Sequence, residues 1–456
     1  MQFTNIFLPS DVNGTGQWRG IWPIQTIWAL GPNTNINNSI TQLLTTEQRY
    51  YQNLNMFMVQ RLVNEQQEQI FNRLIVPMSE INAFWTVYNI DDAMHCDDIV
   101  KYNRGRRAFL GKSQENIQKM LNNVDFVLTT TDYIKNYYNR RYNVPLDKII
   151  TIPNYLPRWW IGDYYDKEKS LSNFKNFKRK PRIGIVSSLS HYNVEHIKQD
   201  PTGCVVWEED KKDENGNVVL GENGSPVKIW KNERGEEVNI ANCKEVPDDL
   251  DLILDCILKT IDEFQWVFFG YAPPKLKDLI EQRKIEYHGG ISILNYPAKL
   301  HALKLNAIVA PIRDEEFNRC KSNIKWLEAS AIGVPLFAQN IDPTYAKYMP
   351  KTQLFDDSKD LYDKLMKMKY GSIGIYEKMI EAQWRFLNSP HEECGIKSPN
   401  WWLEDNIGVW IKFFSMRKKP QSVSLNKYIE AQEQMKRRND PSNFLFNNDN
   451  GIEIIK

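Results

Sequence analysis

Ala310-Pro311-Ile312-Arg313-Asp314-Glu315-Glu316-Phe317-Asn318-Arg319-Cys320-Lys321-Ser322-Asn323-Ile324-Lys325-Trp326-Leu327-Glu328-Ala329, continuing through Gly333-Val334-Pro335, is the stretch on which the reading of the fold turns. The apolar run Ala307 to Pro311 reads as a buried strand, the polar residues after it as a loop, and a helix is expected to open near Lys321. A helix start offers unpaired N–H groups and the positive end of the backbone dipole, so a diphosphate would sit well there. Lys321 and Ser322 would add a charge and a hydroxyl. Lys325 and Glu328 follow near one face of the helix, where a carboxylate can accept hydrogen bonds from ribose hydroxyls. The same spacing equally fits a solvated helix with ordinary ion pairs.

Outward from this stretch, Arg182 to Val186, Trp266 to Phe269, Ile285 to His288 and Pro335 to Ala338 read as further strands with helices between them, the rhythm of a parallel sheet. An earlier set shows the same rhythm: Gln2 to Leu8, Met56 to Val59, Phe84 to Asn89, Asp125 to Leu128 and Ile149 to Ile152, alternating with helical segments such as Val63 to Leu74 and Asp132 to Tyr142. The expected fold class is therefore α/β with two Rossmann-like lobes facing a central cleft. The N-terminal lobe spans 1–160, a polar and basic linker 161–181, and the C-terminal lobe 182–398. An insert at 195–249 carries the turn signals Asn215-Gly216, Asn223-Gly224 and Arg234-Gly235, which predict β-hairpins. It holds 14 acidic and 7 basic residues, a balance that repels a phosphate backbone. Over 399–456 a helix bearing Trp401, Trp402, Ile407, Trp410, Ile411 and Phe414 is expected to pack back on the body ahead of a polar tail.

Composition bounds the function loosely. In 456 residues, 58 Lys+Arg stand against 57 Asp+Glu, so bulk charge names no partner. The six cysteines include no Cys-x-x-Cys pair and read as reduced thiols. There is no apolar run long enough for a membrane span and no secretory pattern at the N-terminus, so a cytoplasmic protein is expected, in the host cytoplasm if phage-encoded.

The string Phe-Asn-x-x-Lys-Ser-x-x-Lys-x-x-Glu-x-x-Ala-x-Gly-x-Pro over Phe317 to Pro335 resembles the nucleotide-binding signature of GT-B glycosyltransferases related to the large retaining family four, in branches found in phages and bacteria. The resemblance implies that Glu328 contacts the donor ribose and that Lys321 and Ser322 face the diphosphate, with Asn318 and Lys325 beside them. Cys320 stands where many members carry a first Glu that touches the sugar. Ile183 to His191 resembles the strand and loop opening the second lobe, which implies donor contacts at Ser187, Ser188 and His191. Asp11-Val12-Asn13-Gly14-Thr15-Gly16-Gln17-Trp18-Arg19 is similar to the first-lobe loop that meets the donor, with Gly14 and Gly16 for close approach and Arg19 at a phosphate or the acceptor. Asn89-Ile90-Asp91-Asp92-Ala93-Met94 resembles a first-lobe signature that places Asp91 and Asp92 at catalysis or acceptor binding. Paired acids at a strand end serve as turn formers or caps just as often.

The chemistry so implied is transfer of a sugar from a nucleoside-diphosphate sugar, a UDP-sugar ahead of a GDP-sugar, to a hydroxyl acceptor. Basic side chains would stabilise the leaving diphosphate without a metal or other cofactor. The cleft is expected to close by hinge motion at the linker. A non-catalytic nucleotide-sugar binding protein of the same fold is the alternative, and Asp91-Asp92 as metal ligands is a rival from another class. The acceptor stays open between a hydroxymethylated base in phage DNA, a glycan and a protein hydroxyl. A basic patch at Arg104, Arg106, Arg107 and Lys112 speaks for the first, while 15 basic and 13 acidic residues over 1–160 are too balanced to demand a polyanion.

Overall fold

The computed structural model describes residues 2–12, 14–61, 65–95, 97–103, 106, 112–160, 168, 180–221 and 223–419. The expected linker lies outside these apart from Glu168, Lys180 and Pro181, as does the tail from 420 onward.

Near-continuous apolar runs need cover on both faces, and parallel sheets flanked by helices supply it. Lobe one is a six-stranded sheet of β1 (Phe3–Leu8), β2 (Ile36–Ile40), β3 (Met56–Gln60), β4 (Trp85–Asn89), β5 (Phe126–Thr129) and β6 (Ile149–Thr151), in the order β2-β1-β3-β4-β5-β6. Every adjacent pair is parallel, and all of β3 is buried. The second sheet combines β7 (Arg182–Ser187) with β12 (Gln265–Gly270), β13 (Ile285–Gly289), β14 (Ala307–Ala310), β15 (Leu336–Gln339) and β16 (Leu354–Phe355), in the order β13-β12-β7-β14-β15-β16, again all parallel. The order of each sheet reverses once, between β1 and β3 in lobe one and between β7 and β14 in lobe two. At such a switch point the connections leave in opposite directions and open a crevice at the carboxyl ends of the strands.

Between β7 and β12 lies an antiparallel sheet of β8 (Lys198–Gln199), β9 (Val205–Asp210), β10 (Lys228–Asn232) and β11 (Lys244–Glu245). Gly216, Gly224 and Gly235 turn its chain with φ of +85°, +75° and +80°, a region closed to most side chains. This sheet belongs to lobe two by sequence but packs on lobe one. Ile197, Val205 and Val246 join the lobe-one apolar cluster, Lys101 Nζ donates to the Gly203 carbonyl at 2.6 Å, and Arg106 Nε reaches Glu233 at 2.6 Å. Arg106 is therefore spent within the protein. Arg104, Arg107 and the Lys112 side chain lie outside the described residues.

The helix Leu403–Phe414 returns to lobe one, where the Phe414 carbonyl accepts from Asn5 Nδ2 at 2.9 Å and Trp410 is buried. No described helix is long and apolar enough to cross a membrane.

Arg19 corrects an expectation. Instead of meeting a phosphate or acceptor it is 0% exposed inside lobe one. Its Nη1 donates to the Ile152 carbonyl at 2.7 Å and Asn154 Oδ1 at 3.1 Å, its Nη2 to the Thr129 carbonyl at 3.0 Å, and its Nε to Asn89 Oδ1 at 3.4 Å. Trp410 covers the guanidinium at 5.5 Å. The Thr129 carbonyl also accepts from the Ile152 N–H at 3.0 Å, and one planar fork of donors meets both strand-end carbonyls and the two asparagine oxygens together. Burial lowers the Arg19 pKa to about 10, which still leaves it charged at neutral pH. Arg19→Met, close in volume but without donors, should cost about 3 kcal/mol or more, because the buried Ile152 carbonyl and Asn154 Oδ1 lose their donor. Urea unfolding measures this, and a midpoint equal to that of the parent would refute the assignment.

Candidate functional site at the meeting of two switch points

A cavity of about 450 Å³ lies between the lobes. Lobe one lines it with Ser10 and Asp11 after β1, Arg61 after β3 and Asp92 after β4. Lobe two contributes Ser190 after β7, and Phe317 and Lys321 after β14. The cavity thus joins both crevices that the strand orders create.

Its lobe-one wall is organised by Arg61, a residue the sequence reading passed over. Arg61 holds φ at +45°, a left-handed backbone that costs a non-glycine residue about 1 kcal/mol. The side chain shows what offsets this. Nε donates to Asp91 Oδ1 at 2.6 Å and Nη2 to Asp92 Oδ2 at 2.5 Å. Burial pushes the Asp91 carboxyl above its ordinary range, against the pull of Arg61, and the neighbouring Asp92 pushes the same way as burial. The cation held by this acid pair is a guanidinium. Among the described residues no group of three or more His, Cys, Asp or Glu converges as a metal site would need.

The lobe-two wall departs from the expected helix start. A short helix, Glu316–Arg319, comes first, and the long one begins at Ile324, so Lys321 and Ser322 lie in the bend between them. Asn318 explains the break. Its Nδ2 donates to the Arg313 carbonyl at 2.8 Å and its own carbonyl accepts from Thr344 Oγ1 at 2.7 Å, pinning the loop on both sides. Lys321 Nζ stands 4.9 Å from the Phe317 ring centroid, and burial lowers its pKa. Ser322 Oγ accepts from Asn154 Nδ2 at 2.9 Å, a hydrogen bond across the lobes. Cys320 is fully buried against the lobe-one apolar cluster and does not border the cavity. Further along the helix, Glu328 Oε2 accepts from Lys325 at 2.9 Å and from the Tyr296 hydroxyl at 3.0 Å, while Tyr296 stacks on Phe269. Both partners fix the carboxylate's direction.

The loop after β7 forms a second, smaller group. Ser187, His191, Lys325, Tyr345 and Asp249 line a space of about 30 Å³ at the carboxyl ends of β7 and β14. Ser188 Oγ pairs with Ser190 Oγ at 2.7 Å, and Ser187 Oγ with the Tyr192 hydroxyl. His191 Nδ1 lies 2.8 Å from Asp249 Oδ2.

Gly14 and Gly16 border neither space. Gly16 serves its own loop, since a Cβ there would lie 1.8 Å from the Asp11 carbonyl oxygen. The structure therefore gathers Asp92 and Lys321 in one cavity, with Asp91 behind Arg61, and Ser187, His191 and Lys325 in the other, while Arg19, Gly14 and Gly16 stand apart. Arg61, Asp249 and Tyr296 were missed; the position of Arg61 directly after a buried strand was the available signal.

No protein-family model matches the sequence, and no curated protein matches it. Among solved structures, a glycosyltransferase from Rickettsia africae ESF-5 is similar at 11% identity, covering 91% of this chain and 98% of that one, with a TM-score of 0.51. A sucrose-phosphate synthase from Thermosynechococcus elongatus is 12% identical over 91% of this chain and 98% of its own, with a TM-score of 0.48. Anabaena HepE in complex with UDP and glucose is 9% identical over 96% and 99%, with a TM-score of 0.47. The first of these likenesses shows the fold: two Rossmann-like lobes in the GT-B arrangement.

Arg61→Ala should destabilise the protein by about 3 kcal/mol, because Asp91 keeps a buried charge without its partner. Combining it with Asp91→Asn should recover at least half of that loss. Urea unfolding of the two single variants and the double variant decides this, and strictly additive costs would show that the pair is not coupled.

Proposed function

We propose that the protein is a metal-independent glycosyltransferase that moves a sugar from a nucleoside-diphosphate sugar to a hydroxyl acceptor. The observation that carries this reading is the cavity between the two switch points, which sets Lys321 of one lobe against Arg61 and Asp92 of the other. The similar fold of a protein described as a glycosyltransferase agrees with it.

Breaking the bond from the sugar to the diphosphate leaves negative charge on a phosphate oxygen, and groups already aimed at that oxygen lower the barrier most. Lys321 and Lys325 are the cations available on the lobe-two side, with Glu328 turned by Tyr296 and Lys325 toward a ribose hydroxyl. Asp92, on the opposite wall, accepts a hydrogen bond from the acceptor hydroxyl and holds it near the sugar carbon. Water is kept from the donor by the walls of both lobes. Retention of anomeric configuration and a UDP-sugar ahead of a GDP-sugar complete the reading, and the cytoplasm is the proposed location.

For the acceptor, the insert is informative. It packs beside the Ile99 to Asn103 rim of the cavity, carries twice as many acids as bases, and consumes Arg106. A DNA backbone would meet repulsion there, which favours a glycan or protein hydroxyl over a modified base.

Lys321→Ala with Glu328→Ala should weaken UDP and GDP binding by about 100-fold, roughly 2.7 kcal/mol. Isothermal calorimetry on the folded variant tests this, and unchanged affinity for both nucleotides would remove the basis for the enzyme reading.

A further inference from the structure

Asp249 ends the insert and is 0% exposed, yet it bonds two other segments. Its Oδ2 meets His191 Nδ1 of the β7 loop at 2.8 Å, and its Oδ1 accepts from the Arg313 backbone N–H of the β14 loop at 2.7 Å. Tyr102, a lobe-one residue, stands beside the same carboxylate, and burial and then that charge raise its phenol pKa. A buried carboxylate with its lone pairs so occupied is held in a fixed place.

That placement fixes the tautomer of His191. In the neutral ring the proton sits on Nδ1, facing Asp249, and the bare lone pair is on Nε2 at the opposite edge. A diphosphate oxygen offers only lone pairs, so beside a neutral His191 it would meet a second acceptor. Beside the protonated ring it meets an N–H. The charged groups that face the ring are Asp249 from the insert, Lys321 from the β14 loop and Lys325 from the helix after it. The hydroxyls of Tyr192 and Tyr345 also line the space, and burial keeps both phenols protonated.

We propose that Asp249 is a positioning residue that makes His191 a third cationic arm of the diphosphate site, so that binding a nucleotide-sugar takes up a proton at Nε2 and the imidazolium then faces the leaving group. The inference rests on the donor site lying where the preceding reading puts it. Burial, followed by the charge of Lys321, holds the His191 pKa below its ordinary value, so the ring is neutral at neutral pH before a donor binds. Asp249 pulls the other way and falls short. A bound dianion cancels the field of the two lysines and adds its own, which raises the pKa. A group whose pKa rises on binding takes up protons, and affinity grows as the pH falls from the bound-state pKa toward the free-state one. When the sugar carbon–oxygen bond breaks, its electron pair stays on the phosphate oxygen. No proton needs to move, because the imidazolium already stands against that charge with Asp249 behind it.

Isothermal calorimetry with UDP-glucose and GDP-mannose, whose diphosphate diesters do not titrate near neutrality, reads the uptake directly. Run at about pH 7.5 in two buffers of different ionisation enthalpy, the parent protein should take up roughly 0.5 proton or more per donor bound. His191→Gln donates from its amide without titrating, so it should bind with no uptake and with affinity that is flat with pH. Asp249→Asn should also lose the uptake and bind about 10-fold more weakly. Equal uptake in His191→Gln and the parent, or binding by the parent with no uptake, overturns the inference and leaves the donor site standing. Absence of binding by both nucleotide-sugars overturns the donor site and this inference together.

Discussion

Parallel strands end together, and at that edge each sheet leaves carbonyls and loop side chains without ladder partners. This protein sets two such edges against each other, so the problem of unpaired polar groups is concentrated in one place and is met with buried charge. Arg19 meets two strand-end carbonyls of lobe one, at Ile152 and Thr129. Arg61 is held against Asp91 and Asp92, and Lys321 stands across from them. Charges taken out of water survive only where partners surround them. The geometry of the cleft follows from where each cation finds its carboxylates and carbonyls.

The lobes are also joined by bonds that do not pass through the linker. Asn154 accepts from Arg19 and donates to Ser322, carrying a chain of hydrogen bonds from the lobe-one interior to the bend that bears Lys321. Tyr133 donates to Glu316 at 2.7 Å, and the insert adds Gly203 and Glu233 as partners of Lys101 and Arg106. Phe317 and Cys320 lie in the apolar cluster of lobe one although β14 of lobe two precedes them. A hinge opening at the linker would have to withdraw these apolar side chains and expose Asp249. The 313–322 segment is thus docked on lobe one through these contacts.

The interior strands were legible because burial on both faces leaves a plain apolar run: Arg182 to Ser187 and Met56 to Gln60 sit within a residue or two of where the sequence puts them. Edge strands lack that signal. Ile36–Ile40 carries two asparagines and a serine, with Asn38 bonded to Asn5, and Leu354–Phe355 is only two residues long, so neither stands out from a loop. At the site, residue types were legible and their partners were not. Arg19 reads as a cation beside a glycine-rich loop, and nothing local says that Ile152 and Thr129, far along the chain, supply its acceptors. The helix start was misplaced for the same reason, since the side chain of Asn318 and the distant Thr344 break the helix before Lys321.

Around the cleft, a carboxylate sets the direction of a neighbouring side chain or is itself directed by one. Asp91 and Asp92 aim Arg61, Asp249 aims His191, and Lys325 with Tyr296 aims Glu328. Groups fixed in this way cost little reorganisation when charge moves during a reaction, which is the main advantage a protein site has over water. The acidic insert fits the same logic at longer range. It supplies Asp249 at its base, and its remaining acids put a negative field beside cations that would otherwise attract any polyanion. One inserted segment therefore both orients a group inside the cleft and lays its acids beside the rim.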